Sequence, residues 1–167
     1  MAIVIALVAE KGAGKTLCIE IAKRLLAPKR VVAMRFSDVL VDILSILNKE
    51  PSRDNIDILV TALRQAFNDD GILLPALRKR LVNTDADVIF LDGLRKPEEI
   101  PLVKEQNGLL LYITSDQKMR YDRIRARQEK PDEFGISWEK FVEQDNAPPQ
   151  ISIRRIGETM ADIIIEN

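Results

Sequence analysis

The stretch Ala9-Glu10-Lys11-Gly12-Ala13-Gly14-Lys15-Thr16 constrains this chain more than any other part of it. It follows an apolar run over residues 2–8 that reads as a buried parallel strand. It precedes residues 17–27, where apolar side chains recur at helical spacing. A strand, a glycine-containing loop, Gly-Lys-Thr and a helix together form the context of a phosphate-binding loop. Glycine lets backbone N–H groups wrap phosphate oxygens without Cβ clashes, and the helix start adds unpaired N–H groups and a positive dipole end. On this pattern Gly12, Ala13 and Gly14 cradle the phosphates of ATP, Lys15 reaches the outer ones, and the Thr16 hydroxyl coordinates Mg²⁺. The pattern G-x-x-x-x-G-K-[ST] opens on glycine, and this chain departs from it with Ala9. Gly12 and the remaining positions of the pattern, Gly14, Lys15 and Thr16, are intact, and a tighter entry turn is the expected consequence.

Composition narrows the chemistry. The chain has 167 residues, which suits one domain with a full core, over residues 1–167. It contains no histidine, which excludes Ser-His-Asp triads, Cys-His pairs and His-ligated metals. The formal net charge of -1 offers no broad basic field, so no nucleic-acid partner is expected. A single cysteine, Cys18, excludes an internal disulfide and suits a reducing cytoplasm, where it reads as a structural thiol in the first helix. No basic leader or cleavage site flanks the first apolar run, and no later run reaches membrane-spanning length. The expectation is a soluble, cytoplasmic protein without a membrane partner.

Further along, residues 31–36 read as a second strand, Ser37 as an N-cap, and Val39, Leu40, Ile43, Leu44 and Leu47 as the apolar face of a helix. Ser52 or Asp54 starts another helix, with Ile58, Leu59, Ala62, Leu63 and Ala66 on its apolar face and Gly71 as its C-cap. Residues 72–82 read as a further helix with Pro75 in its first turn. Residues 88–92 form a third strand ending in Asp92; a helix starts at Pro97 and ends at Gly108; residues 109–114 form a fourth strand. Ser115-Asp116 caps a basic helix, and a loop over residues 129–136 follows. Ser137 caps a short helix that Pro148-Pro149 breaks, a last helix spans residues 153–160, and residues 162–166 form a fifth strand. Alternating strands and helices predict a three-layer α/β/α sandwich around a parallel sheet.

Several side chains then gather at the carboxyl ends of the strands, where ligands of open α/β sheets bind. Asp92 ends an apolar strand, as a carboxylate holding Mg²⁺ through water does, although a turn aspartate has the same place. Arg95, three residues on, would project into the same crevice or sit exposed on a turn. Arg120, Arg123 and Arg127 share one helix face at i, i+3 and i+7, as clamps on a transferring phosphoryl group or as a solvated basic face. Asp38 has three readings: a base for an acceptor hydroxyl, a Mg²⁺ ligand, or a first-turn acid facing the helix dipole. Arg53 either binds an acceptor phosphate or is exposed, and Trp138 with Phe141 read as packing beside a lid. Glu10 and Lys11 receive no role.

With these residues placed, the chain resembles P-loop kinases of the adenylate-kinase type, over essentially its whole length. Within them it is most similar to deoxynucleoside monophosphate kinases and dephospho-CoA kinase-like proteins. The resemblance rests on residues 9–16, Phe36-Ser37-Asp38, Asp92-Gly93-Leu94-Arg95, residues 119–127 and residues 161–167. It implies a P-loop NTPase fold with strand order 2-3-1-4-5, an acceptor lobe at about residues 39–82 and a lid at about 128–137. It implies ATP as donor with Mg²⁺, bound at Gly12, Gly14, Lys15 and Thr16, and Arg53 and Arg95 holding the acceptor phosphate. It implies Arg123 and Arg127 as the lid-bordering clamps, and Asp38 in the place of the aspartate with which dephospho-CoA kinases activate a ribose hydroxyl. The ending at 161–167 resembles a dephospho-CoA kinase segment whose loop lies near the adenine of ATP.

Three functions follow as expectations. The first is transfer of the ATP γ-phosphate to a nucleotide-like monophosphate, the second is phosphorylation of dephospho-CoA, and the third is a nucleotide sensor without an acceptor. A GTPase switch is disfavoured, because Asn48-Lys49-Glu50-Pro51 lacks the aspartate of the guanine-reading motif. The arginines around the lid favour transfer over sensing, since a transition-state clamp and lid closure serve transfer.

Overall fold

A computed structural model describes residues 2–127 and 133–167. Five parallel strands form one sheet in the order β2-β3-β1-β4-β5. They are β1 (Ile3–Ala9), β2 (Val31–Arg35), β3 (Val88–Asp92), β4 (Leu109–Thr114) and β5 (Ile163–Glu166). β1 is central and pairs with β3 on one side (Leu7 opposite Asp92) and with β4 on the other (Ala9 opposite Ile113). Its near-continuous apolar sequence is what a parallel strand covered on both faces needs.

One face of the sheet meets α4 (Leu74–Asn83), α5 (Ile100–Glu105) and α8 (Pro148–Met160). There Leu77, Leu81, Leu102, Val103, Ile153 and Ile156 pack on Val4, Ala6, Val8, Ile89, Leu91 and Leu110. The opposite face meets α1 (Lys15–Leu25), with Cys18, Ile19 and Ala22 against Leu7, Phe90, Leu111 and Ile113. The expected three layers and the strand order 2-3-1-4-5 are both present. A smaller cluster joins α6 (Gln117–Arg127) to α7 (Trp138–Asp145): Tyr121 meets Trp138 edge-on at 5.3 Å, and Trp138 stacks on Phe141 at 5.9 Å. Trp138 and Phe141 are therefore packing residues, as their spacing suggested. Among the described residues no helix is long and apolar enough to cross a membrane.

The structure alters several local expectations. Ser37 precedes α2 (Asp38–Ile46) but does not cap it with its side chain; instead Asp38 Oδ2 accepts the Arg35 N–H at 2.7 Å, closing the turn from β2. Ser52 does cap α3 (Arg53–Phe67), accepting the Asn55 N–H at 3.2 Å. The left-handed residue that stops α3 is Asn68 rather than Gly71, because asparagine tolerates that conformation once the helix has run its length. The covered stripe of α3 is also narrower than its apolar periodicity implies. Ile58, Ala62 and Ala66 face solvent, while Ile56, Leu59, Val60, Leu63 and Arg64 are half-buried. α4 starts at Leu74, two residues later than expected, and a 3₁₀ turn, Pro97–Glu99, precedes α5. Pro148-Pro149 opens α8 instead of breaking a helix, since proline costs nothing in a first turn whose N–H groups have no partner. Residues 128–132 of the expected lid lie outside the described residues.

α8 approaches the sheet closely at Gly157. A Cβ there would lie 2.4 Å from the Tyr112 ring. Alanine is ordinarily better than glycine in a helix by about 1 kcal/mol. Here the rigid ring reverses the sign, so Gly157→Ala is expected to lower unfolding free energy by about 1–3 kcal/mol in a urea titration. A neutral or stabilising result would show that α8 is free to lift away.

Candidate active site

The carboxyl ends of β1, β3 and β4 meet at one edge, on either side of the point where connections leave the sheet in opposite directions. The loop after β1 fills that point. Ala9 is still paired as a strand residue, opposite Ile113, and needs no left-handed backbone, which accounts for alanine at the first position of the motif. Gly12 and Gly14 do need one, with φ of 84° and 102°. Gly14 is the N-cap of α1 and contributes no side chain, so the N–H groups of the first turn are presented to the cleft. Space matters as much as torsion: a Cβ on Gly12 would meet the Arg120 carbonyl oxygen at 2.8 Å, and one on Gly14 would meet Asn167 Nδ2 at 2.4 Å. Asn167 lies against the loop, donating from Nδ2 to the Ala13 carbonyl at 2.9 Å.

Lys15 and Asp92 come together across the edge, with Nζ 2.5 Å from Oδ1. The contact is ionic and outside hydrogen-bond angles, so buried Asp92 Oδ1 has no hydrogen-bond partner. Thr16 is exposed in the first turn of α1. Among the described residues no group of three or more acidic or thiol side chains forms a metal cage. Mg²⁺ seldom uses one; it binds through one or two protein oxygens, water and substrate phosphates. A carboxylate oxygen that meets Lys15 alone, and an exposed hydroxyl in the first turn of the helix after the glycine loop, fit that ion.

Asp38 reaches the same edge because the end of β2 is in register with the end of β3 (Arg35 opposite Asp92), and the Phe36 N–H donates to the Asp92 carbonyl at 3.0 Å. Arg53 is remote in character: its side chain is 77% exposed and lies 3.9 Å from Asp57, one turn along α3. Arg95 is exposed, its N–H held by Glu99 Oε2 at 2.8 Å and its carbonyl by the Ser152 hydroxyl at 2.9 Å. A narrow cleft beside it is lined by Phe36, Arg64, Leu73, Leu74, Lys96 and Glu99. In this cleft Arg64 Nε is buried without a hydrogen-bond partner. Burial pushes the Glu99 carboxyl up, against hydrogen bonds from the Arg95 and Lys96 N–H groups and the charges of Arg64 and Lys96. Sequence reasoning missed Arg64; its signal was its place on the covered stripe of α3 with Leu59, Val60 and Leu63.

The three arginines of the α6 face have different surroundings. Arg123 donates to the Ser115 hydroxyl and to the Asn167 main-chain oxygen, each at 3.2 Å. Arg127 meets buried Glu133 through two hydrogen bonds, at 2.7 and 3.1 Å. Arg120 is buried and grips Asp145 with both terminal nitrogens, at 2.6 and 2.8 Å. Burial works to raise the Asp145 pKa, but hydrogen bonds from Arg120 and Gln117 and the charges of Arg120 and Arg154 outweigh it and hold the carboxyl below its ordinary value. Burial likewise works to lower the Arg120 pKa, and Asp145 and Glu10 reverse it. Burial, chiefly, pushes the neighbouring Tyr112 hydroxyl up to about 12, so it stays neutral. Glu10, Asp145 and Arg154 carried no signal of this kind in the sequence, except that an acid inside an anion-binding loop demands a partner.

No family model matches this chain, and no curated protein matches it. Solved structures do. The shikimate kinase of Bacteroides thetaiotaomicron superposes with a TM-score of 0.58 at 15% identity, over 98% of this chain and 86% of its own. That of Acinetobacter baumannii, in complex with shikimate, gives 0.53 at 17% identity over 100% and 84%, and that of Aquifex aeolicus 0.55 at 15% over 98% and 85%. The likeness establishes the fold, a five-stranded parallel sheet in the order 2-3-1-4-5 with flanking helices, as in these shikimate kinases.

The geometry of the loop yields a binding test. Mg²⁺ with ATP is expected to bind the native chain in calorimetry, and Lys15→Ala is expected to weaken binding at least tenfold, since a charge-assisted contact to phosphate is lost. An unchanged Kd would remove Lys15 from the donor site.

Proposed function

We propose that this chain is an ATP-dependent phosphotransferase that moves the γ-phosphate to a small anionic acceptor, a nucleotide-like monophosphate. The observation that carries the reading is the Lys15–Asp92 contact at the carboxyl edge, a cation of the phosphate loop facing a carboxylate oxygen with no hydrogen bond. In this reading the N–H groups of the loop at Gly12, Ala13 and Gly14 hold the donor phosphates, and Lys15 leaves Asp92 for the outer ones. Thr16 and Asp92 hold Mg²⁺, which supplies neutralisation of phosphate charge when bound with the nucleotide. Arg123 and Arg127 clamp the transferring group, with fixed guanidinium groups offsetting charge on its equatorial oxygens.

The acceptor lobe is residues 39–82, and its half-buried Arg64 is the candidate cation for an acceptor anion, in a cleft shared with Lys96 and with the acids Asp70, Glu98 and Glu99. Arg53 and Arg95 are the further candidates, with Arg95 the nearer to that cleft. Asp38 is the base for a hydroxyl acceptor. Its position at the carboxyl edge supports a second reading, transfer to an alcohol such as the ribose hydroxyl of dephospho-CoA.

The test is ATP consumption with a panel of ribo- and deoxynucleoside monophosphates, dephospho-CoA and shikimate, with Lys15→Ala as the blank. Turnover with one monophosphate is expected, falling about 10²–10³-fold in Lys15→Ala, and Arg64→Ala is expected to raise the acceptor KM with little change in ATP binding. Turnover with an alcohol acceptor alone, abolished in Asp38→Asn, would replace the acceptor class. ATP binding without acceptor-stimulated turnover would overturn transfer in favour of a sensor.

A further inference from the structure

An acid inside a loop that binds anions is a liability unless something neutralises it and points it away. Glu10 is 5% exposed, and its carboxylate is directed into the protein. Oε2 accepts the Thr114 hydroxyl at 2.7 Å, while Oε1 lies 3.3 Å from Arg120 Nη2 and 3.6 Å from Arg154 Nη1. Arg120 uses the rest of its fork on three further residues. It donates from Nε to the Ser115 carbonyl at 3.1 Å, from Nη1 to the carbonyl of Lys11 in the loop at 3.4 Å, and to Asp145 at the end of α7. Asp145 also accepts from Gln117 at 2.8 Å and from Arg154 of α8 at 3.1 Å. Two buried carboxylates and two guanidinium groups thus join the phosphate loop, the end of β4, the first turn of α6, α7 and α8. The missing Cβ of Gly12 lets the Arg120 carbonyl close the remaining gap.

Apolar side chains of similar volume would be as stabilising as a buried ion cluster, or more so; what charges add is a fixed geometry. The geometry here sets the loop against the helix that carries Arg123 one turn further on and Arg127 two turns on. We infer that Glu10, Arg120 and Asp145 are positioning residues, which hold the phosphate loop in register with the arginine face of α6 so that Lys15 and Arg123 converge on one phosphoryl group. None of the three touches substrate. The inference rests on the proposed transferase activity for its consequence, but not for its structural content.

The test therefore begins without substrate. Hydrogen exchange of Glu10→Gln, which keeps an acceptor for Thr114 but removes the charge facing Arg120, is compared with the native chain. Amides of residues 10–16 and 117–124 are expected to exchange at least tenfold faster together, while those of β1 and β3 are unchanged. A loop unchanged in exchange, or acceleration spread uniformly over the sheet, overturns the inference. Failure of the native chain to turn over any acceptor would count against the proposed function alone. Where turnover is found, kcat per calorimetric ATP site is expected to fall at least tenfold in Glu10→Gln with each KM within threefold; an unchanged kcat per site overturns the inference. Should Glu10→Gln not fold, Arg154→Gln, which spares the Arg120–Asp145 pair, takes its place in the same exchange measurement. It is then expected to accelerate the loop and α6 about threefold, and no acceleration overturns the inference.

Discussion

The backbone ladders that flank β1 are the constraint on which the rest of the structure depends. Parallel pairing with β3 and β4 brings Ala9, Asp92 and Thr114 to one edge, and pairing of β3 with β2 adds Arg35 and the turn to Asp38. No side chain chooses this convergence; it follows from strands that all run one way and from short connections at their carboxyl ends. What the side chains choose is how the loop after β1 is shaped. Two left-handed glycines turn its N–H groups toward the cleft, and the space beneath them is claimed by the α6 backbone and by Asn167.

Charge at this edge divides into pairs that can exchange and pairs that cannot. The Lys15 side chain is 33% exposed and that of its partner Asp92 19%, whereas Arg127 faces a Glu133 that is wholly buried. A partly solvated pair such as Lys15–Asp92 contributes about 1 kcal/mol or less, so a polyphosphate bearing several charges can displace it at little cost. Arg120, 3% exposed and bonded through three of its nitrogens, belongs to the other class. Removing either partner there strands a buried charge, at a cost of about 3–5 kcal/mol. The lysine of the loop therefore sits in a movable contact, while an arginine of the adjoining helix face serves as a fixed strut.

That division explains what was legible in the sequence. The phosphate loop, the parallel strands and Asp92 were legible because each is written locally: glycines at fixed offsets, apolar runs of strand length, a carboxylate at a strand end. The prolines of α8 and the C-terminal stop of α3 were not legible without the neighbouring backbone: the same prolines break a helix or begin one according to what precedes them, and Asn68 stops α3 before Gly71 is reached. The period i, i+3, i+7 correctly put Arg120, Arg123 and Arg127 on one face, but a period carries no information about which turn of that face is roofed by another element. Asp145 and Arg154, remote in sequence, decide that for Arg120. Arg64 shows the same limit, its burial turning on a cleft built from four separate segments.

Glu10 carries the last step. In isolation its position in the loop opposes the function that the neighbouring glycines and lysine indicate, because a carboxylate near bound phosphate raises the energy of the complex. Buried and hydrogen-bonded by Thr114, with two guanidinium groups beside it, it has its charge met inside the protein and ties the loop to β4, α6 and α8. A local conflict between a residue and its motif thus becomes the point at which the motif is tied to the rest of the protein. Such conflicts in a sequence mark places where a long-range partner exists, even when nothing in the sequence says which residue it is.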